Sequence, residues 1–146
     1  MPTLEESLKS PRSKLMGEMI MNYVPIKNCS LKQYNTLKIE STASLMVLPI
    51  NKKGIQEIYQ KYKSRNIVIL GRGSNILFSK DYYDERYVFI NFKLLDNIEK
   101  RCNGEIIVET GATLSSLSWY AVENNIKGFE FLEDVPGSVG GAIIMN

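Results

Sequence analysis

The chain has 146 residues, 44% hydrophobic and 23% charged, the balance of a soluble globular protein large enough for one domain, or a small domain and part of another. Eighteen basic against sixteen acidic residues leave a formal charge of +2, and the lysines form no basic stripe, which argues against nucleic acid or an anionic membrane as partner. There is no histidine and there are two cysteines; a Ser-His-Asp arrangement is impossible within these residues, and a zinc site would lack ligands.

The opening stretch, "MPTLEESLKSPRSKLMGEMIMNYV", is interrupted throughout by charge and has no core long enough for a signal peptide. It reads as a loosely helical lead-in over residues 1–24, split by Pro11. Nothing approaches the roughly 20 apolar residues of a spanning helix, so a cytoplasmic location is expected, with Cys29 and Cys102 as reduced thiols. Alternation of Leu37 and Ile39 with Lys38 and Glu40 predicts a strand at about 36–40, and a second is expected at 44–48, closed by Pro49. Ile55, Ile58, Tyr59 and Tyr62 then recur at helical spacing behind Asn51 as N-cap. The next strand is "IVIL" at 67–70, and the strand–helix–strand order predicts a right-handed crossover and a parallel pair. "NILFS" is a further extended run, "KDYYDER" a polar turn and "YVFIN" another strand. A composition shift near "KLLDNIEKRCNGE" places a boundary between a first subdomain, 25–93, and the start of a second, 94–146. There, "EIIVETGA" is a strand ending in a glycine turn. "TLSSLSWYAVENN" is a helix capped by Thr113 that buries Leu114, Leu117, Ala121 and Val122. Gly128 follows it, where a left-handed residue is expected.

Two glycine concentrations carry the chemistry. The first, "GRGSN" at 71–75, is not a dinucleotide fingerprint of the G-x-G-x-x-G kind, because the third glycine position is Ile76 and no helix start follows. It is not a triphosphate loop either, since no G-K-[ST] follows. Gly71 and Gly73 still permit positive φ and close ligand approach, and successive N–H groups with Ser74 and Asn75 suit a diphosphate. A tight connection shaped by glycine alone is the competing reading. The second, "VPGSVGGA", sets Pro136, Gly137, Ser138, Val139, Gly140, Gly141 and Ala142 in a run with more glycine than a simple turn needs; there too, a tight loop packed under the sheet is the alternative.

The segments "YNTLKIESTA", "ILGRGSNILFSKDYY", "IIVETGATLSSLSWYAVENNIKGFEFL" and "VPGSVGGAIIMN", in that order, resemble the N-terminal part of the UDP-N-acetylenolpyruvoylglucosamine reductase (MurB) family, from about residue 33 to the end. The resemblance implies an α+β FAD-binding domain of the vanillyl-alcohol oxidase (PCMH) type, two α+β subdomains clasping the flavin, with the second incomplete here and the substrate domain absent. It implies that Gly71, Arg72, Gly73, Ser74 and Asn75 cradle the FAD diphosphate. Pro136, Gly137, Ser138, Val139, Gly140, Gly141 and Ala142 would line the diphosphate and flavin, and Asn146 would open the family's next glycine-rich stretch. It further implies NADPH as hydride donor, a UDP-sugar substrate in peptidoglycan synthesis, and a catalytic serine, arginine and glutamate beyond residue 146. No catalytic residue is therefore assigned, and the 146 residues alone are expected to be inactive and to expose apolar surface around Ile143 and Ile144. Departures from the family pattern are Val135 for isoleucine, Asp134 where a carboxylate would repel a diphosphate unless it faces solvent, "IEST" for a Gly-Gly pair, and Arg72 at a variable position. A non-catalytic flavin- or nucleotide-binding module is the alternative.

Overall fold

The computed structural model describes residues 21–145, so most of the expected lead-in and Asn146 lie outside the described residues. The first strand, β1 (Tyr23–Ser30), is one that the sequence pattern does not predict, because Pro25 interrupts it. A proline cannot donate to a ladder and is tolerated on an edge; β1 is an edge strand, paired antiparallel with β2. β2 (Thr42–Pro49) contains the strand expected at 44–48 and extends beyond it at both ends. The strand expected at 36–40 does not form. A buried side chain staples a turn there instead: Asn35 Nδ2 donates to the carbonyls of Leu31 (2.9 Å) and Ile39 (3.1 Å), and its Oδ1 accepts from Ile39 N–H (2.9 Å). Lys38 takes a φ of +54° within it, and Leu37 is exposed. Local bonds from an asparagine side chain have displaced ladder pairing.

α1 (Lys52–Tyr62) starts at the expected cap, Asn51 Oδ1 accepting from Gly54 N–H at 2.8 Å. It buries Ile58 and Tyr62 against Val47, Val88 and Ile90 on one face of the sheet, while Tyr59 stays exposed. β3 (Asn66–Leu70), β4 (Tyr82–Tyr83) and β5 (Tyr87–Asn91) complete the sheet in the order β1-β2-β5-β3, with β4 beside the start of β2. The predicted parallel relation of β2 and β3 holds, but they are not neighbours. β5 inserts between them and pairs parallel with both. Its Val88 and Ile90 face α1 while Phe89 enters the opposite core, as a central strand covered on both faces requires.

The run at 75–79 joins no ladder. It delivers Phe78, which meets Tyr83 and Phe89 edge-to-face at centroid distances of 6.1 and 6.2 Å, and those two rings meet each other at 5.1 Å. This cluster, with Leu31, Met46, Leu48 and Leu70, is the core of the second face. Tyr82 and Tyr83, expected in a polar turn, instead pair with Thr42 and Ala43.

A separate hairpin follows, β6 (Ile98–Lys100) and β7 (Ile106–Val108). α2 (Leu114–Glu123) begins at Thr113, whose Oγ1 accepts from Ser116 N–H at 2.8 Å. Leu114, Leu117 and Ala121 are buried, whereas Val122 is exposed. Asn125 at φ +55° closes the helix, with Ile126 N–H reaching back to Ala121 O at 2.8 Å; Gly128, at φ +95°, makes a second left-handed step. A 3-10 turn (Glu130–Leu132) leads into α3 (Val139–Met145). The run expected as a loop over 136–142 is thus a loop only as far as Ser138. Residues 139–142 are helical, with Ala142 N–H donating to Ser138 O at 2.9 Å. Among the described residues, no helix is long and apolar enough to cross a membrane, and Cys29 (buried) and Cys102 (exposed) are free thiols.

Candidate functional site

The 71–75 turn leaves the sheet at the carboxyl end of β3, the end at which open parallel sheets receive ligands. Its start is fixed by a residue that the sequence reading does not single out. Asn91, buried at the end of β5, donates from Nδ2 to the carbonyls of Leu70 (2.8 Å) and Gly71 (2.9 Å), and its Oδ1 accepts from Lys93 N–H (3.1 Å). The signal was present: a polar residue closing an apolar run has to be satisfied where it is buried.

The two glycine stretches, more than 60 residues apart in sequence, meet in space. A Cβ on Gly71 would lie 2.8 Å from Ser138 Oγ, and one on Gly137 would lie 3.8 Å from Ser74 Oγ. The remaining close approaches are between chain segments. Gly73, at φ +68°, has the carbonyl of Tyr34 where a Cβ would stand, at 1.9 Å. A Cβ on Gly140 would meet Thr110 Cβ at 2.8 Å. Backbone bonds lace the same segments together: Thr36 N–H to Gly73 O (3.2 Å), Leu114 N–H to Gly137 O (3.2 Å), Val139 N–H to Ala112 O (2.9 Å) and Gly140 N–H to Thr110 O (3.0 Å). Gly73 and Gly140 therefore serve chain packing, while Gly71 and Gly137 face the seam between the two stretches.

The supply of free donors is unequal. The N–H groups of Val139, Gly140, Gly141 and Ala142 are all given to protein acceptors, Gly141 to Ser138 Oγ at 3.3 Å. Those of Arg72, Gly73, Ser74 and Asn75 have no acceptor among the described residues. Arg72, Ser74 and Asn75 are exposed, and Asn75 Nδ2 lies 3.6 Å from Met145 Sδ. A cleft of about 560 Å³ opens beside this seam, lined by the 33–38 turn, Arg72, Thr113 and Ser115 of the α2 start, and residues 133–137. Lys38 and Arg72 bring positive charge to it, Glu133 and Asp134 negative charge. Asp134 is exposed; Glu133 is tied to α2, accepting from Trp119 Nε1–H and Ser115 Oγ–H, each at 2.9 Å. Thr113, Ser115 and Glu133 were legible only as helix and loop residues, since nothing local announces a shared cleft. No group of three or more His, Cys, Asp or Glu among the described residues is placed to hold a metal ion.

Residues 43–146 match the profile of a family described as FAD binding domain. The chain belongs to this FAD-binding family, and its fold is of the α+β vanillyl-alcohol oxidase (PCMH) type. The UDP-N-acetylenolpyruvoylglucosamine reductase of Francisella tularensis is 37% identical over 123 residues, 80% of this chain and 40% of the relative. That of Fusobacterium nucleatum is 34% identical over 119 residues, 82% and 42% respectively. The crystal structure of MurB from Thermus caldophilus shares the fold at a TM-score of 0.57 and 23% identity, over 84% of this chain and 41% of that one. Within the family, these residues correspond to the FAD-binding region of the MurB group. The chain spans about two fifths of the length of the relatives it matches.

Proposed function

We propose that the 71–75 turn and the 136–142 stretch together hold the diphosphate of FAD. The chain then forms the FAD-binding part of a cytoplasmic reductase that makes UDP-N-acetylmuramate from UDP-N-acetylenolpyruvoylglucosamine, with NADPH as hydride donor. The observation that carries this reading is the seam. Two glycine stretches face each other with no Cβ at 71 or 137, beside a run of four backbone donors that have no acceptor among the described residues. Lys38 and Arg72 line the adjoining cleft together with Glu133 and Asp134, so the preference for an anion rests on the open run of backbone N–H groups. Bound FAD would supply the capacity to accept and pass on a hydride. This chain's share of the work is to bind and orient. Residues 72–75 donate to the phosphate oxygens, the missing Cβ at Gly71 lets Ser138 close onto the turn, and Asn91 keeps the turn at the end of β3. Residues 25–93 act as a first subdomain and 94–146 as the start of a second. No residue of this chain is given a catalytic role, and the 146 residues alone are expected to show no turnover of the UDP-sugar.

Titration of the chain into FAD, followed by quenching of flavin fluorescence, tests the reading. Saturable one-to-one quenching is expected, and Gly71→Asp, which places a carboxylate in the seam, should abolish it. A wild-type chain that leaves free flavin unquenched, or a Gly71→Asp variant that binds as well, refutes it.

A further inference from the structure

We infer that Glu133 is a positioning residue for the cofactor cleft: its carboxylate fastens the approach to Pro136 and Gly137 onto α2, and so sets how that segment stands against the 71–75 turn. The inference rests on the reading that this cleft takes FAD. Both carboxylate oxygens are engaged, one by Trp119 Nε1–H and the other by Ser115 Oγ–H, each at 2.9 Å. The two donors stand four residues apart on α2 and so present on one side of the helix. The segment they hold has few other attachments. Residues 133–136 are exposed, and between the 3-10 turn and Ser138 the backbone bonds are Glu133 N–H to Glu130 O (3.3 Å), Val135 N–H to Leu132 O (3.2 Å) and Leu114 N–H to Gly137 O (3.2 Å). The Glu133 side chain thus anchors one end of a stretch whose other end is Gly137, at the seam.

A carboxylate lining a cleft for a diphosphate makes a second effect possible, with the opposite sign. If Glu133 acted through its charge alone, neutralising it would strengthen FAD binding whichever residue replaced it, because like charges repel. If it acts as a fastening, the replacements must split. Glu133→Gln keeps an acceptor for one donor and an amide that can donate to Ser115; Glu133→Ala keeps nothing.

The test is FAD titration, by flavin fluorescence, of the 146-residue chain and of Glu133→Gln, Glu133→Ala, Ser115→Ala/Trp119→Phe, and the last combined with Glu133→Ala. The dissociation constant should rise about tenfold in Glu133→Ala, the scale of losing hydrogen bonds to a charged acceptor, and stay within about threefold of wild type in Glu133→Gln. Ser115→Ala/Trp119→Phe should match Glu133→Ala, and combining them should change nothing further. Melting temperatures should stay level, while amide exchange over 133–137 in the flavin-free chain speeds up in Glu133→Ala and in the double variant. Equal shifts in Glu133→Gln and Glu133→Ala, or additive losses in the combination, overturn the inference and leave the FAD reading standing. A wild-type chain that does not quench flavin overturns that reading and the inference with it.

Discussion

Gly73 meets two requirements that substitution can separate. Its φ is +68°, and a Cβ built on it would stand 1.9 Å from Tyr34 O and 2.7 Å from Asn35 Cα. Alanine in the left-handed region costs about 1 kcal/mol relative to glycine. The overlap costs more, because the opposing atoms are backbone, and that backbone is pinned by the buried Asn35 side chain through Leu31 O and both backbone groups of Ile39. Relieving the clash moves the 34–36 turn off Gly73, breaking the 3.2 Å bond from Thr36 N–H to Gly73 O and disturbing the 3.0 Å bond from Lys93 Nζ to Tyr34 OH. Together these place Gly73→Ala among the severe substitutions, at about 3–5 kcal/mol. For a chain of this size that is a fall in melting temperature of about 10–20 °C. Gly104→Ala is the matched control: its φ is +88°, and no atom lies within 4 Å of the added Cβ. It should cost the conformational part alone, about 1 kcal/mol, or about 3–5 °C. Far-UV circular dichroism melts of both variants decide the matter. If Gly73→Ala melts within a few degrees of Gly104→Ala, the 34–36 backbone is not packed on the turn as described, and the geometry of the seam is wrong.

Asn91→Ala should cost about 2–3 kcal/mol by leaving the Leu70 and Gly71 carbonyls without their buried donor, read as a lower urea midpoint. Asn91→Asp should be worse, since it turns a second oxygen toward both carbonyls. In the native chain, iodoacetamide should label Cys102 and spare Cys29, whose thiol is buried and pushed to a higher pKa by that burial; peptide mass spectrometry should show both labelled after denaturation. The carboxyl of Asp84 is held below the usual carboxylate range by hydrogen bonds from the Arg86 side chain and backbone. Its folded pKa lies below its unfolded value, so its contribution is present above about pH 4 and lost as pH falls through the folded value. Asp84→Asn should therefore flatten part of the acid limb of melting temperature against pH, and an unchanged limb would refute the pairing.

The features read correctly from sequence are those fixed within a few residues. The caps at Asn51 and Thr113 and the apolar spacing of Ile58 with Tyr62 depend on neighbours one turn away. The insertion of β5 between β2 and β3 does not: "YVFIN" reads as a buried strand, but nothing within it says which two strands it will separate. The failures at 36–40 and at 139–142 have local causes of another kind. Asn35 can satisfy the backbone of its own turn, so the alternating Leu37 and Ile39 never need a ladder partner. "VGGA" carries two glycines that weaken a helix by about 1 kcal/mol each, yet Ser138 supplies both a carbonyl and a hydroxyl to start one. At the site, the meeting of 71–75 with 136–142 was legible as paired glycine runs, whereas Asn91, Ser115 and Glu133 enter it by topology.

Glycine content alone cannot distinguish a ligand cradle from a tightly packed crossing of chains, and here both occur in the same stretches. Each requires a missing Cβ, but they leave different traces in the hydrogen bonds. Where a glycine serves packing, the facing backbone consumes its polar groups: Gly140 gives its N–H to Thr110, and Gly73 lends its carbonyl to Thr36. The N–H groups of residues 72–75 leave the other trace, having no acceptor among the described residues. By that criterion the two stretches are not equivalent halves of one clamp. The 136–142 stretch spends its donors on starting α3 and locking onto 110–114, and this brings Ser138 and Gly137 up to the seam. The 71–75 turn, anchored from behind by Asn91 and by the 34–36 backbone, is left with the hydrogen-bonding capacity that an anionic cofactor would use.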